Sequence, residues 1–294
     1  MQTTQAIHTR YQEIRHRLPM ARTHGQPRRI DSLLNIADEA DAFVFDAFGV
    51  LNVGETPIPG AAARLDQVRE RGCRIRILTN AASYDRAGAI DKFRRLGIRL
   101  EPDEIVTSRD ATLAHMPPGR WGAIAAAGDA LTDLPHPTLR LGDDPAAYDA
   151  VEGFVFLSTA DWNEARQAIL QASLRRAPRP VLIANADLAA PRDDGFSQEP
   201  GYFGHRIADA GLAPVRFFGK PFPEIYALAM ATLPGLDPAR IVMCGDTLHT
   251  DILGAAAIGW RTVLVTRDGL YAGQDVEPYM QDAAIFPDWR VERI

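Results

Sequence analysis

The chain has 294 residues, of which 46% are hydrophobic and 24% charged, and carries a formal net charge of -6. That length holds two domains, or one core with a large insertion. The acidic balance excludes the basic footprint of a nucleic-acid or acidic-membrane binder, and no apolar run reaches the roughly 18 residues that span a bilayer.

The first residues, to Met20, are polar and lack a secretory apolar core, so a cytoplasmic location is expected. Cys73 and Cys244 each fall in an apolar, strand-like run and read as small buried hydrophobes rather than a disulfide or metal pair. Lys and Arg together number 32, yet only Lys92 and Lys220 are lysines. Arg cannot copy a compact ammonium, so each Lys asks for a specific reason.

Taken in order, residues 1–40 show a helical pattern around Ile7, Tyr11, Ile14 and Leu18, a break at Gln26-Pro27, and a short helix near 32–40. They read as an arm packed on the core and without chemistry of its own. Phe43-Val44-Phe45 then runs straight into Asp46, with Gly49 three residues on. An apolar run of this kind predicts a buried parallel strand that delivers Asp46 at its carboxyl end. A breaker-rich loop and a helix over 60–71 follow. A strand over 74–78 exits at Thr79-Asn80, ahead of a helix over 84–96. Residues 112–204, entered through Pro117-Pro118 and left through Pro200-Gly201, repeat strand and helix patterns and read as an inserted α/β unit. Val215-Arg216-Phe217-Phe218 predicts the next core strand, delivering Lys220. Ile241–Cys244 predicts another, exiting at Asp246, with Asp251 five residues on. A helix over 252–258 and a strand over 262–265 close the core, and the tail to Ile294 looks peripheral. Strands each followed by a helix imply a doubly wound parallel sheet. The expected division is an arm over 1–40, a core over 41–111 and 205–294, and a cap over 112–204.

Asp46, Thr79-Asn80, Lys220 and Asp246 with Asp251 are thus expected at one edge of one sheet, where open α/β folds hold ligands. Taken singly, Asp46 could start a turn and Thr79-Asn80 could cap a helix. Together they suggest metal-assisted phosphoryl transfer. Carboxylates suit a hard cation beside substrate phosphate, Lys and Thr can neutralise phosphoryl oxygens, and one carboxylate is free to attack.

The motifs resemble those of the haloacid dehalogenase superfamily. Phe45-Asp46-Ala47-Phe48-Gly49-Val50 is similar to its first motif, Leu78-Thr79-Asn80 to its second, Phe218-Gly219-Lys220-Pro221 to its third, and Gly245-Asp246-Thr247-Leu248-His249-Thr250-Asp251 to its fourth. The large insertion between the second and third resembles class IIA, which includes pyridoxal-phosphate, phosphoglycolate and nucleotide phosphatases. The resemblance implies a Rossmannoid core, an inserted cap and magnesium. It makes Asp46 the nucleophile and a metal ligand, with the backbone carbonyl of Phe48 and Asp246 as further ligands and Asp251 in support. Thr79, Asn80 and Lys220 would hold phosphate. Asn185-Ala186-Asp187 is similar to an element lying over the site in the class, so Asp187 would touch substrate, unless it is simply an exposed turn acid. A small phosphate ester is the implied partner, with neither nucleic acid nor membrane, and the class allows a homodimer.

One position departs. Where the phosphatase motif has a second Asp, which protonates the leaving oxygen and later activates water, this chain has Phe48. A positioned acid–base group contributes about 10²–10⁴-fold. Three readings follow. The first is a phosphatase whose substitute acid is Glu55, His249 or a substrate group. The second is a metal-free, dehalogenase-like enzyme attacking carbon, since those relatives carry an aromatic at this position. The third is a phospholigand-binding protein without turnover.

Overall fold

Ala42–Phe45 forms a strand whose four side chains are fully buried. Successive strand residues point to opposite faces, and here both faces are covered. Phe43 and Phe45 join one apolar cluster with Leu33, Leu65 and Val68, whereas Ala42 and Val44 join another with Ile225, Tyr226 and Met243. A strand covered on both sides belongs inside a parallel sheet. The computed structural model, which describes residues 3–21, 23 and 25–294, has it there.

Seven strands pair in the order Arg28–Arg29, Trp289–Val291, Arg261–Val265, Ile241–Gly245, Ala42–Phe45, Arg74–Thr79 and Ile105–Thr107. Every neighbouring pair is parallel. Helices Ala61–Glu70 and Arg86–Arg95 cover one face and helices Ser108–Ala114 and Pro223–Ala231 the other. This is a doubly wound α/β core. A second parallel sheet, in the order Val215–Phe217, Val181–Ile183, Gly153–Phe156, Trp121–Ile124 and Thr138–Arg140, forms the cap. Helices Glu164–Arg176 and Pro200–Asp209 bury Leu170, Leu174, Phe203 and Ile207 against it.

Three expectations change. Val215–Phe217, expected in the core sheet, pairs with Val181–Ile183 in the cap sheet, because a short apolar run fixes a strand but not its neighbour. The tail is not peripheral: Trp289 is 1% exposed and its strand is hydrogen-bonded between two others of the core sheet. The short helix expected near 32–40 is a pair of 3₁₀ turns, Leu33–Asn35 and Ala37–Glu39, the first closed by the reciprocal cap of Ser32 and Asn35. Both cysteines are free and buried. Among the described residues, no helix is long and apolar enough to cross a membrane.

The arm is more than packing. Its helix, Thr4–Glu13, buries Ile7 and Tyr11 against Leu248, Ile252, Leu264 and Tyr271. The Tyr11 ring stacks on His249, with centroids 4.9 Å apart and planes 5° from parallel. Its hydroxyl accepts a hydrogen bond from the Leu188 N–H of the cap at 3.2 Å. One side chain therefore joins arm, core and cap. Tyr11→Ala should destabilise the protein by about 3–5 kcal/mol, as truncation of a buried aromatic does. Tyr11→Phe keeps the stack but orphans a buried N–H, and should cost about 1–3 kcal/mol. Urea denaturation of the three proteins checks the order.

Candidate active site

Asp46 leaves the Ala42–Phe45 strand with its N–H donated to the Cys244 carbonyl at 2.9 Å. Asp246 leaves the adjacent Ile241–Gly245 strand, and Thr79 ends Arg74–Thr79 on the other side. These three come from the carboxyl ends of neighbouring central strands, the usual ligand position of such sheets. Lys220 arrives differently, shortly after the cap strand Val215–Phe217. Its N–H donates to Asn80 Oδ1 at 2.6 Å, and Asn80 Nδ2 donates to its carbonyl at 2.9 Å. The expectation of four exits from one sheet is corrected to three, with an amide docking the fourth group. Gly219 makes that docking feasible. It has φ +93°, and a Cβ there would approach Asn80 Oδ1 to 2.5 Å.

The Lys220 ammonium is 1% exposed and lies 2.5 Å from Asp46 Oδ1 and 2.7 Å from Asp251 Oδ1. One oxygen from each of Asp46, Asp246 and Asp251 lies within 4.8 Å of the others. Asp246 is fixed by the Thr247 hydroxyl at 2.9 Å and the Leu270 N–H at 2.7 Å. Asp251 Oδ2 accepts from the Thr247 N–H at 3.0 Å. Gly49, at φ +78°, turns the chain where a Cβ would come within 2.6 Å of Asp246 Oδ2.

Burial pushes the Asp46 carboxyl up to about 7, with Lys220 pulling it down and Asp251 adding to the rise. Burial also raises Asp246, reinforced by Asp251 and Asp46. Desolvation opposes the charge of Lys220, but Asp251, Asp46 and Asp187 outweigh it and raise its pKa. Three buried carboxylates thus face one ammonium. Uncompensated buried charge is costly, and an oxygen-only donor set of this kind fits a hard divalent cation.

Asp187 is not an exposed turn acid. It is half-buried, and its Oδ1 accepts from Asn80 Nδ2 at 2.8 Å. Burial raises its carboxyl well above the usual range, with Lys220 opposing the rise. The Thr79 hydroxyl accepts from the Ala81 N–H at 3.1 Å, which leaves its O–H to donate elsewhere.

A family model described as haloacid dehalogenase-like hydrolase matches residues 43–129, and a second, HAD-hydrolase-like, matches residues 217–290. The chain is a hydrolase of the haloacid dehalogenase superfamily. Its inserted α/β cap is that of class IIA. An acid sugar phosphatase of Staphylococcus aureus is 27% identical over 240 residues, covering 80% of this chain and 90% of the relative. A glycerol-3-phosphate phosphatase of Gallus gallus is 28% identical, covering 94% of this chain and 97% of the relative. The crystal structure of a possible sugar phosphatase of the superfamily, from Cytophaga hutchinsonii, superposes with a TM-score of 0.79 at 25% identity, covering 90% of this chain and 98% of that one.

Around Phe48 the hydrolase differs from what the motif led one to expect. Lys92 Nζ stands 4.4 Å and Arg192 Cζ 4.8 Å from the Phe48 ring centroid. Glu55 Oε1 lies 3.3 Å from Lys92 Nζ. These groups line a cavity of about 530 Å³ between core and cap, together with Asp187 and Glu199. His249 is removed as a substitute acid. It is fully buried beneath Tyr11, its Nε2 lies 2.9 Å from Gln12 Oε1, and burial pushes its imidazole down to about 3. The sequence reading had not placed Lys92, Arg192 or Leu270 at the site. The scarcity of lysine had marked Lys92 without saying where it would go.

Proposed function

We propose that this hydrolase is a magnesium-dependent phosphatase of small phosphorylated metabolites that works through an aspartyl-phosphate at Asp46. The reading is carried by one observation: a buried ammonium, Lys220, contacts both Asp46 and Asp251 beside a third carboxylate, Asp246. The phosphatase names of the curated relatives point the same way. In this reading the arm is residues 1–40, and the cap, expected over 112–204, extends to take in the Val215–Phe217 strand.

Asp46 attacks phosphorus through a carboxylate oxygen, the ester P–O bond breaks, and the oxygen leaves as an alkoxide that takes its proton from water. Water then attacks the phosphorus of the aspartyl-phosphate, which returns the carboxylate and releases inorganic phosphate. Lys220 orients Asp46 and balances charge on the phosphoryl group as it transfers. Thr79 and Asn80 bind phosphoryl oxygens, and Asn80 at the same time holds Lys220 in place. Asp46, Asp246 and the Phe48 carbonyl would hold magnesium, with Asp251 supporting them. Bound there, the ion supplies positive charge to the phosphoryl oxygens.

Chelation with EDTA should lower hydrolysis of 4-nitrophenyl phosphate by about 10²-fold or more, and added magnesium should restore it. Initial rates measured across a magnesium titration check this. Hydrolysis of the ester that survives chelation would overturn the magnesium-dependent reading.

A further inference from the structure

Lys92 is one of two lysines in the chain, and it does not behave as a solvated surface charge. It sits on the Arg86–Arg95 helix with its side chain 7% exposed, lining the cavity between core and cap. A buried ammonium needs a compensating partner. Among the described residues, its one paired carboxylate is Glu55, which is 63% exposed. Glu55 lies on the tip between the two-residue strands Asn52–Val53 and Thr56–Pro57. Arg192 reaches the same place from the cap hairpin of Ala189–Arg192 and Gly195–Gln198. Its Nε donates to Ser197 Oγ and its Nη2 to Glu199 Oε1, both at 2.9 Å. Nη1 has no partner among the described residues.

Both cations stand over the ring of Phe48. An aromatic face attracts a cation through its quadrupole but leaves its charge in place. A carboxylate at position 48 would pair with these two groups and cancel that charge. The other acids of the cavity are committed. Glu199 is already the ion-pair partner of Arg192, leaving that guanidinium its Nη1 to donate, and also accepts from Ser197 and Asn185, while Asp187 accepts from Asn80. Glu55 remains as the exposed, exchangeable counter-ion of Lys92, and its carboxylate indicates the kind of group that ammonium accepts.

We propose that Lys92 and Arg192, standing on Phe48 as an uncharged platform, form a second anion subsite that binds a carboxylate on the substrate, so that the substrate class is a phosphorylated hydroxy acid. This rests on the phosphatase reading for the phosphoryl end. Asp187 links the two ends, since it touches Asn80 and also lines the cavity. Because Lys92 belongs to the core and Arg192 to the cap, a bound carboxylate would also hold the two units together, with Glu55 displaced into solvent.

Calorimetry on full-length Asp46→Asn protein with magnesium tests the subsite without consuming the ligand. 3-Phosphoglycerate and glycerol 3-phosphate present the same phosphoryl group and differ in a carboxylate against a hydroxymethyl group. The acid should bind about tenfold tighter or more, as a charge-assisted hydrogen bond allows. Adding Lys92→Met should bring the ratio close to one, whereas Lys92→Arg should keep most of it. Glu55→Gln should tighten the acid several-fold by removing its competitor. Equal affinities in the parent, or a preference that survives Lys92→Met in a protein with an unchanged melting temperature, would overturn the subsite. Turnover of 4-nitrophenyl phosphate by the wild type reports separately on the phosphatase reading. If that turnover is absent the reading falls, while the affinity ratio still decides the subsite.

Discussion

Asp46→Asn should reduce phosphate-ester hydrolysis by roughly 10⁴-fold or more while leaving the fold intact. The amide matches the carboxylate in size and still offers an oxygen to Lys220, which keeps Asp251 at 2.7 Å. What disappears is the nucleophile, and no neighbouring carboxylate takes its place. Asp246 is held by Thr247 and Leu270, and Asp251 by Thr247 and Lys220. Initial rates at saturating magnesium measure the loss, and a variant retaining more than a few per cent of wild-type activity would rule out any aspartyl-enzyme. Stability gives an independent readout. The folded-state value of about 7 for Asp46 lies above its ordinary value of 3.8, so between those values the native protein holds the extra proton. Metal-free wild type should therefore lose stability as pH rises through that window. In Asp46→Asn that slope should shrink, and a melting-temperature series in EDTA shows whether it does.

The contrast between Asp46 and Lys92 shows which parts of the site the sequence could reveal. Asp46, Thr79 and Asp246 lie one step beyond runs such as Phe43-Val44-Phe45, and a doubly covered parallel strand has few other ways to read. Local pattern was enough to give both the strand and the residue at its exit. The motif singles out Lys220 as a residue but does not give its position. The strand before it pairs with Val181–Ile183, and the choice of a neighbouring strand depends on contacts far along the chain. Trp289–Val291 was missed for a similar reason, since three residues with Arg290 at the centre carry too little alternation to signal a strand. Lys92 lies in Arg-Ala-Gly-Ala-Ile-Asp-Lys-Phe-Arg-Arg, where it looks like one more charge on a solvated helix face. Packing within the core brings Phe48 to it, and the cap folding over the core brings Arg192. Tyr11 was legible as a buried residue of a helix, but its contacts with His249 and Leu188 depend on where the arm docks. Local periodicity thus reported the ends of strands, whereas what faces the cavity from helix and hairpin, and what the arm packs against, was set by tertiary contact.

Phe48→Asp should raise turnover of esters with poor leaving groups, by up to about 10²–10⁴-fold, and should barely change that of esters with good ones. With a phenyl ring at position 48, the first motif has no side-chain proton for the departing oxygen. In the wild type, rate should therefore fall steeply along a series of phosphate esters as the leaving-group pKa rises from nitrophenol through phenol to an alkyl alcohol. An introduced carboxylic acid would flatten that series. The surroundings of Phe48 set a limit on the gain. Lys92 and Arg192 lie 4.4 Å and 4.8 Å from its ring centroid, and two cations at that range would hold a new carboxylate in its ionised form. An ionised group cannot donate the proton, so the single substitution should recover only part of the available factor. Phe48→Asp combined with Lys92→Met should recover more, because one of the two charges that keep the acid deprotonated is gone. The same single substitution should weaken discrimination in favour of carboxylate-bearing ligands, since the cations would then be paired internally. Steady-state rates across the ester series, for wild type, the single and the double variant, separate these effects. A shallow leaving-group dependence in the wild type would mean that another acid of the cavity wall, Glu55 or Asp187, already supplies the proton.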